Sequence, residues 1–211
     1  MKMTPTRDAE IHRLIGGALC LDFVNTLNGH TSQTKHEYLL GYTDLILWSR
    51  HAGILTDPES SKLLHKEDRM PPQARAVYKK AVELREMLHQ VFSDLAGGIS
   101  PSPADVETLN VVRAEALHHS RLSQTGNGLS LSWDELDSLE RMLWPIILSA
   151  SELLTSESLH RLRECNGKGC DWLFIDSSRN HMRRWCSMDE CGNRAKMQRR
   201  YNRQRETTDR L

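Results

Sequence analysis

The segment from 165 to 205 reads CNGKGCDWLFIDSSRNHMRRWCSMDECGNRAKMQRRYNRQR and holds four of the five cysteines of the chain. These cysteines form two close pairs of equal spacing, Cys165-x4-Cys170 and Cys186-x4-Cys191, which are separated by fifteen residues. Two such pairs predict one tetrahedral site, and four thiolates suit Zn²⁺. Because protein atoms would then fill all four coordination positions, we expect a structural rather than a catalytic ion.

Two disulfides or a redox role are the alternatives to a metal site. Disulfides belong to oxidising compartments, and the start of the chain, MKMTPTRD at 1–8, lacks the apolar core of a signal peptide. We therefore predict a cytoplasmic protein with reduced cysteines and a bound zinc ion. Gly167 and Gly169 lie inside the first pair, where a tight turn is expected to need residues with positive φ.

The residues between and after the pairs predict a small treble-clef-like module. The aromatic and branched run 172–175 is expected to form a hairpin with 184–185, which leads back to the second pair. Ser187 and Glu190 form an S-x-x-E capping box, and the helix that follows is predicted to run from Met188 to about Arg205.

This predicted helix carries a basic stripe. Lys196, Arg199, Arg200 and Arg203 recur at the i, i+3, i+4 and i+7 positions, which share one face of a helix. A run of charges is usually only a solvated face, but this one is attached to a zinc module and lies near other arginines. We predict nucleic-acid contacts by Arg183, Arg184, Lys196, Arg199, Arg200 and Arg203.

Other residues of the helix are given different roles. We expect Met197, Gln198 and Tyr201 to lie toward the hairpin and to pack against it. Asn193 and Gln204 lie at the rim of the basic face, where they are candidates for reading bases.

The charges of the chain are divided unevenly. Residues 161–211 contain thirteen lysines and arginines against seven acidic residues, a net charge of +6. The whole chain is neutral, so residues 1–160 carry −6. A basic end on an acidic body is typical of a nucleic-acid-binding tail, and it disfavours a protein whose whole surface coats a polyanion.

Two other functions are compatible with a basic helix. Aromatic side chains that stack on unpaired bases would favour RNA, whereas a helix exposed with its stripe outward favours duplex DNA. The finger could instead be a protein-interaction module whose zinc only stabilises a docking surface. The aromatic residues concerned are expected to form the finger's own small core, and they are Trp172, Phe174, Trp185 and Tyr201. We predict DNA binding and keep RNA binding and the interaction module as alternatives.

The N-terminal part predicts a helical body. Apolar residues recur with a helical period in six segments, which are 17–27, 42–52, 60–66, 73–95, 104–117 and 136–154, the last with a kink at Pro145. Ser102 is a candidate N-cap of the fifth. The turn TGNG at 125–128 predicts a hairpin. The fold class is therefore mainly α (α+β), and no apolar stretch of membrane-spanning length occurs.

Asp22, Asn25 and Thr26 share one stripe of the first predicted helix. They form either a ligand or partner site, with a small-molecule effector as one occupant, or a set of side chains that bond to neighbouring backbone. We favour the structural role. Cys20 is expected to be a buried small hydrophobe, and His30 and His36 are expected to lie on the surface of a loop.

The sequence shows no arrangement that we interpret as catalytic. It lacks a phosphate loop, a dinucleotide glycine motif, G-x-S-x-G and H-E-x-x-H. We therefore expect a protein that is not an enzyme. Two-fold homodimers are common among DNA readers, although no heptad segment indicates how this chain would form one.

The residues Cys191-Gly192-Asn193-Arg194, the preceding WLF-D segment and the basic tail resemble the CGNR-type zinc finger. The segment GALCLDFVNTL at 17–27 resembles the opening of the ABATE-type domain that precedes this finger in a family of proposed stress-induced transcription regulators. The resemblance implies nucleic-acid binding and control of transcription. It also implies an ABATE-like domain over 1–157 and a finger with its basic helix over 158–211. No long linker separates the two, so we expect the finger to be docked on the body.

Overall fold

The computed structural model describes residues 13–30, 35–134 and 137–208. Its helices are α1 (Leu19–Val24), α2 (Tyr42–His51), α3 (Asp57–Arg69), α4 (Pro71–Ala96), α5 (Pro103–His118), α6 (Leu143–Thr155) and α7 (Asn193–Thr208). Three antiparallel two-stranded sheets pair β1 (Leu27–Asn28) with β2 (His36–Glu37), β3 (Ser120–Thr125) with β4 (Gly128–Trp133), and β5 (Leu162–Glu164) with β6 (Leu173–Ile175). The predicted mainly helical α+β fold with a small hairpin is confirmed. None of the helices within these ranges combines the length and apolar character that crossing a membrane requires.

Helix α1 lies at the centre of the helical body. Cys20, Leu21, Phe23 and Val24 are completely buried, and the helix packs against α4, α6 and β6. Four apolar residues within one and a half turns bury almost the whole circumference rather than a single stripe. Phe23 meets Trp48 of α2 with ring centroids 5.4 Å apart. Burial raises the pKa of Cys20 to about 12, so its thiol stays protonated, as expected of a small hydrophobe.

The first residues of two helices are determined by their N-cap residues. Thr56 accepts a hydrogen bond from the backbone of Glu59, whose carboxylate bonds back to Thr56, and this capping box starts α3 at Asp57. The helix is therefore longer than the 60–66 segment predicted from periodicity alone. The hydroxyl of Ser102 accepts from the backbone of Asp105 and starts α5, as predicted.

Helix α6 begins later than expected. It starts at Leu143, so residues 137–142 of the predicted 136–154 helix are not helical; the predicted first residue, Leu136, lies outside the described residues. Pro145 is the third residue of α6 and lies in its first turn. Backbone N–H groups of a first turn have no partner within the helix, so proline is tolerated there and the predicted kink in mid-helix is wrong.

The predicted loop after α1 contains β1 and β2, and it buries a histidine. The ring of His30 stacks on His89 of α4 with centroids 3.6 Å apart, and its Nδ1 lies 3.0 Å from a carboxylate oxygen of Glu86. The side chain of His30 is only 3% exposed, so its predicted surface position is wrong. His36 is exposed, as predicted.

The finger is docked on the helical body through a pair of hydrogen bonds at Asn25. The side-chain amide of Asn25 donates to the carbonyl oxygen of Leu173 over 2.9 Å and accepts from the N–H of the same residue over 2.9 Å. Asn25 thus completes the free edge of β6 as a neighbouring peptide group would. Both residues are buried, so water does not compete for these groups.

Further hydrogen bonds surround the Asn25 pair. The carboxylate of Asp171 accepts from the backbone N–H of Gly29 over 2.9 Å, and the indole of Trp172 donates to the carbonyl of Leu27 over 3.2 Å. At the same edge of β6, Ile175 donates to the carbonyl of Gly16 over 2.8 Å. Strand β5 packs on α4. The finger therefore sits in a fixed position on the body.

We predict that Asn25→Ala destabilises the protein. The change leaves the N–H and the carbonyl of Leu173 unpaired in a buried place, and each unpaired group costs about 1–3 kcal/mol of unfolding free energy. Urea unfolding measures the loss. Asn110→Ala is the matched control, because Asn110 is exposed on α5. Equal midpoints for the two variants would contradict the assigned role of Asn25.

Candidate metal centre and nucleic-acid interface

The four predicted cysteine ligands meet at one point. Cys165 follows β5, Cys170 lies just before β6, and Cys186 and Cys191 lie at either end of the turn that leads to α7. Their Sγ atoms all lie within 4.8 Å of one another. The sulfur of Cys186 is 3.7 Å from that of Cys170 and 3.7 Å from that of Cys191. A tetrahedron with Zn–S bonds of about 2.3 Å has edges of about 3.8 Å, so the four sulfurs fit a zinc ion.

Two glycines shape the first cysteine pair in different ways. Gly169 has a φ of 71°, as predicted for this turn. Gly167 is required for space instead, because a Cβ atom there would lie 2.8 Å from the sulfur of Cys191. The backbone N–H groups of Gly167 and Cys186 donate to the sulfur of Cys165 over 3.4 and 3.3 Å. These donors favour the thiolate that binds a metal.

The sulfur cluster is largely closed to solvent. Cys165, Cys186 and Cys191 are buried, and Cys170 is half-buried. Hydrogen bonds from the neighbouring thiols, that of Cys170 first, lower the pKa of Cys165. A metal ion binds the deprotonated form of all four and displaces their remaining protons. Four protein ligands leave no position for water or substrate, so the ion supplies folding energy and no catalysis.

The hairpin of the finger differs from the prediction. Strand β6 pairs with β5, upstream of the first cysteine pair, with Arg163 opposite Phe174. The segment 184–185 forms no strand, and the carbonyl of Arg184 accepts from the N–H of Asn166 over 3.0 Å. The two cysteine pairs are thus joined directly at this point. The loop between them is held by Asp176, whose carboxylate accepts from the backbone of Ser178 and Arg183.

Arg183 has a structural environment that separates it from the other predicted nucleic-acid contacts. Its guanidinium lies 4.2 Å from the ring centroid of Phe174. It also donates to the carbonyls of Trp185 and Cys186. These contacts tie Arg183 to the backbone that carries a metal ligand, so we no longer group it with the phosphate contacts.

The predicted capping box does not start the last helix. A single π-type turn, Met188–Gly192, precedes α7. Ser187 makes no side-chain cap, and the carboxylate of Glu190 pairs with Arg13 of the body over 2.6 Å. The turn places Cys191 in the metal site and directs the following helix away from it.

Helix α7 projects into solvent. From 193 to 205 its side chains are exposed, except for half-buried Ala195. Met197 is 64% exposed and Tyr201 is 55% exposed, so the predicted packing of these residues on the hairpin is wrong. The basic side chains of α7 are therefore accessible along most of its length.

The basic side chains line two cavities at the base of α7. The first measures about 710 Å³ and is lined by Trp185, Met188, Gly192, Asn193, Lys196, Arg199, Arg200, Arg203 and Gln204. The second measures about 470 Å³ and is lined by Asn166, Lys168, Arg184, Trp185, Arg194, Ala195, Gln198 and Arg199. Among the residues whose side chains the structure describes, neither lining contains a carboxylate. Five of the six predicted contacts, Arg183 excepted, thus meet in one strongly positive region.

The sequence reasoning missed three residues of this region. Lys168 and Asn166 come from the first cysteine pair, and Arg194 comes from the side of α7 that was assigned to packing. Their positions follow from the shared metal site, which brings the first pair beside Trp185. The sequence signal that could have found them is the shared metal site, since two cysteine pairs that bind one ion must be neighbours in space.

The Asp22, Asn25 and Thr26 stripe is fully engaged in structural contacts. Asp22 accepts from the N–H of Gly16 over 2.7 Å, and burial raises the pKa of Asp22 to about 6. Thr26 donates to the carbonyl of Phe23 over 2.7 Å, and Asn25 joins β6. The cavity that these residues border holds about 10 Å³, which is room for about one water molecule. The stripe fits the structural role that the sequence favoured.

A helical body docked to a four-cysteine finger with an exposed basic helix defines a zinc-finger protein. The ABATE model, described as "Putative stress-induced transcription regulator", matches residues 17–157, and the chain belongs to this family. The CGNR zinc finger model matches residues 161–204. The family and the clustered sulfurs together identify the cofactor as zinc. No curated protein matches the chain.

We predict that replacing Cys191 or Cys165 by Ser releases the zinc and unfolds the finger, because the free energy of metal binding in such modules is largely free energy of folding. Elemental analysis measures the metal, and limited proteolysis measures the folding of the two parts. Cys20→Ser is the control, since the sulfur of Cys20 lies in the body and outside the metal cluster. One zinc ion per chain in the Cys191→Ser protein would contradict the assigned ligand set.

Proposed function

We propose that the protein is a nucleic-acid-binding regulator that presents α7 to duplex DNA. The observation that carries this proposal is the exposed stripe of Lys196, Arg199, Arg200 and Arg203 on a helix whose base is fixed by the metal site. Cations held together in one positive region attract a polyanion and neutralise its phosphates. The zinc ion positions the helix and takes no part in a reaction, so we propose binding rather than catalysis.

The shape of α7 favours DNA over RNA. Its 16 residues correspond to about 24 Å of helix at 1.5 Å per residue. An α-helix enters the major groove of B-DNA, about 12 Å wide, whereas the major groove of A-form RNA is too deep and narrow to be read. Asn193 and Gln204 line the same cavity as the stripe, which supports the proposal that they contact base edges.

The body has a different role in this proposal. Residues 1–160 carry a net charge of −6, so phosphate backbones are repelled there and attracted to the finger. The small cavity at Asp22 offers no room for an effector beyond a water molecule. We propose that the body regulates the finger through contacts with a macromolecular partner, in the reducing cytoplasm that free thiolate ligands require.

Replacing Arg199 and Arg200 by Glu is predicted to weaken binding to every DNA sequence alike. Loss of two phosphate contacts lowers the salt slope of log K by about 1.8, at about 0.9 per contact. A fluorescence-anisotropy titration of mixed-sequence duplex over a series of salt concentrations measures both quantities. Zinc content is expected to stay unchanged, since neither residue is a metal ligand.

The control for this test changes the same amount of charge elsewhere. Arg75 and Lys79 are exposed on α4, and replacing both by Glu alters the net charge of the chain equally. If that variant loses as much affinity and slope as the α7 variant, the overall charge and not the helix decides binding. Salt-independent or undetectable binding by the wild type would favour the protein-interaction module.

We further propose that the β3–β4 hairpin joins two copies of the chain. Within the described part of the chain its sheet has two strands, so each strand has a free edge of N–H and C=O groups. The leucines of one face are exposed by 71% at Leu122, 69% at Leu129 and 49% at Leu131. An antiparallel edge is self-complementary about a two-fold axis, and a four-stranded sheet is more stable than an isolated hairpin. Arg121 is its only charged residue and pairs with Asp134, so two copies do not repel.

Replacing Leu122 and Leu131 by Lys is predicted to shift a dimer to monomers, because four charges would then face each other across the new sheet. Sedimentation velocity over a range of protein concentrations measures the shift. Leu40→Lys is the control, because Leu40 is 57% exposed at a distant place. A wild type that stays monomeric at every concentration rejects this dimer and leaves DNA binding untouched.

A further inference from the structure

Trp185 lies between the metal site and the two cavities at the base of α7. It precedes the metal ligand Cys186, is half-buried, and packs partly against the sulfur cluster. The same ring lines both the 710 Å³ cavity and the 470 Å³ cavity. One part of the indole ring thus packs against the metal site, while the rest of its surface is accessible from both cavities. A rigid, partly exposed indole is a ready platform for a flat ligand.

Two cations border this ring without covering it closely. The Cζ atom of Arg184 lies 5.6 Å from the Trp185 ring centroid, and that of Arg199 lies 5.7 Å away. The guanidinium of Arg183, in contrast, packs at 4.2 Å over Phe174 in the interior of the finger. At the longer distance the attraction between a cation and a ring is weak. Both arginines are exposed, so they can turn toward a phosphate.

We propose that Trp185 stacks on an unpaired nucleobase while Arg184 and Arg199 bind the phosphates beside it. This inference rests on the proposed nucleic-acid function and names the kind of nucleic acid that the site takes. A flat aromatic surface flanked by cations is the arrangement that binds single strands, since every base has a π-face and every nucleotide a phosphate. Amide side chains nearby, Asn166 and Gln198, line the second cavity and can bond to a base edge.

Arg199 connects the two parts of the surface. It lines both cavities and belongs to the stripe of α7, whereas Trp185 lies at the base of that helix. A duplex held by α7 therefore brings its end, or a distorted step, to Trp185. The preferred ligand is duplex DNA that continues into an unpaired strand.

The other aromatic residues of the finger do not offer the same site. Trp172 and Phe174 are 6% and 0% exposed, so their faces are used inside the finger. Tyr201 is 55% exposed, but it lies on α7 outside both cavity linings. Tyr201→Leu is therefore the matched control for Trp185→Leu, since each removes one aromatic ring with solvent-accessible surface from the basic region.

The test compares three DNA probes of equal total charge, which are a blunt duplex, a single strand, and a duplex with a single-stranded overhang. We expect the wild type to bind the overhang probe most tightly. Trp185→Leu should bind that probe about tenfold more weakly, the effect of losing one stacked base, and should bind the blunt duplex as the wild type does. Trp185→Phe should keep part of the preference, and Tyr201→Leu should keep all of it.

Equal affinity of the wild type for all three probes would overturn the inference and leave the duplex-binding proposal intact. An unchanged preference in Trp185→Leu would overturn it too, as would polyglutamate competing as well as an oligonucleotide of equal charge. Absence of binding to any probe would reject both proposals. If Trp185→Leu loses its zinc, tryptophan fluorescence of the wild type and of Trp185→Phe tests the stacking instead. Quenching by the overhang probe in the wild type that disappears in zinc-loaded Trp185→Phe supports stacking, and quenching that persists excludes it.

Discussion

The structure of the finger depends on the closure of four sulfur atoms around one point. Between Leu162 and Gly192 the regular structure consists of two three-residue strands and one turn, which is too little to bury a core by itself. The metal ion joins chain segments that are 26 residues apart at their extremes, Cys165 and Cys191, and a bond to each sulfur fixes its backbone. The directions of Trp185 and α7 follow from this closure, because both are attached next to a ligand.

The body stabilises the finger by supplying hydrogen-bond partners to its strand β6. Asn25 supplies to β6 the hydrogen bonds of a missing strand, and Trp172 reaches back to the carbonyl of Leu27. A polar side chain at the end of a buried helix would be costly if it were unpaired, so the presence of Asn25 directly after α1 is explained by the finger that covers it. The body and the finger therefore depend on each other for the pairing of their buried polar groups.

The sequence predicted the features that a local pattern encodes. The spacing of Cys165, Cys170, Cys186 and Cys191 specifies a metal site without any knowledge of the fold, and the period of apolar residues placed the long helices. Two of the failures involve distant partners. The pairing of β6 with β5, and the burial of His30 against His89, depend on contacts across the chain that no short window contains. The exposure of Met197 and Tyr201 was missed for the converse reason, since nothing in the sequence shows that none of the described helices or strands covers this face of α7.

The separation of the acidic body from the basic finger affects binding because the two parts are docked in a fixed arrangement. An acidic body on a flexible linker could turn its charge toward a bound polyanion and weaken binding. Here hydrogen bonds from Asn25 and Gly29, together with the ion pair between Arg13 and Glu190, fix the finger on the body. Glu190 lies in the turn that precedes α7, so its pairing also removes a negative charge from the neighbourhood of the basic helix. The same contacts that stabilise the joint thus keep the surface around α7 and Trp185 positive.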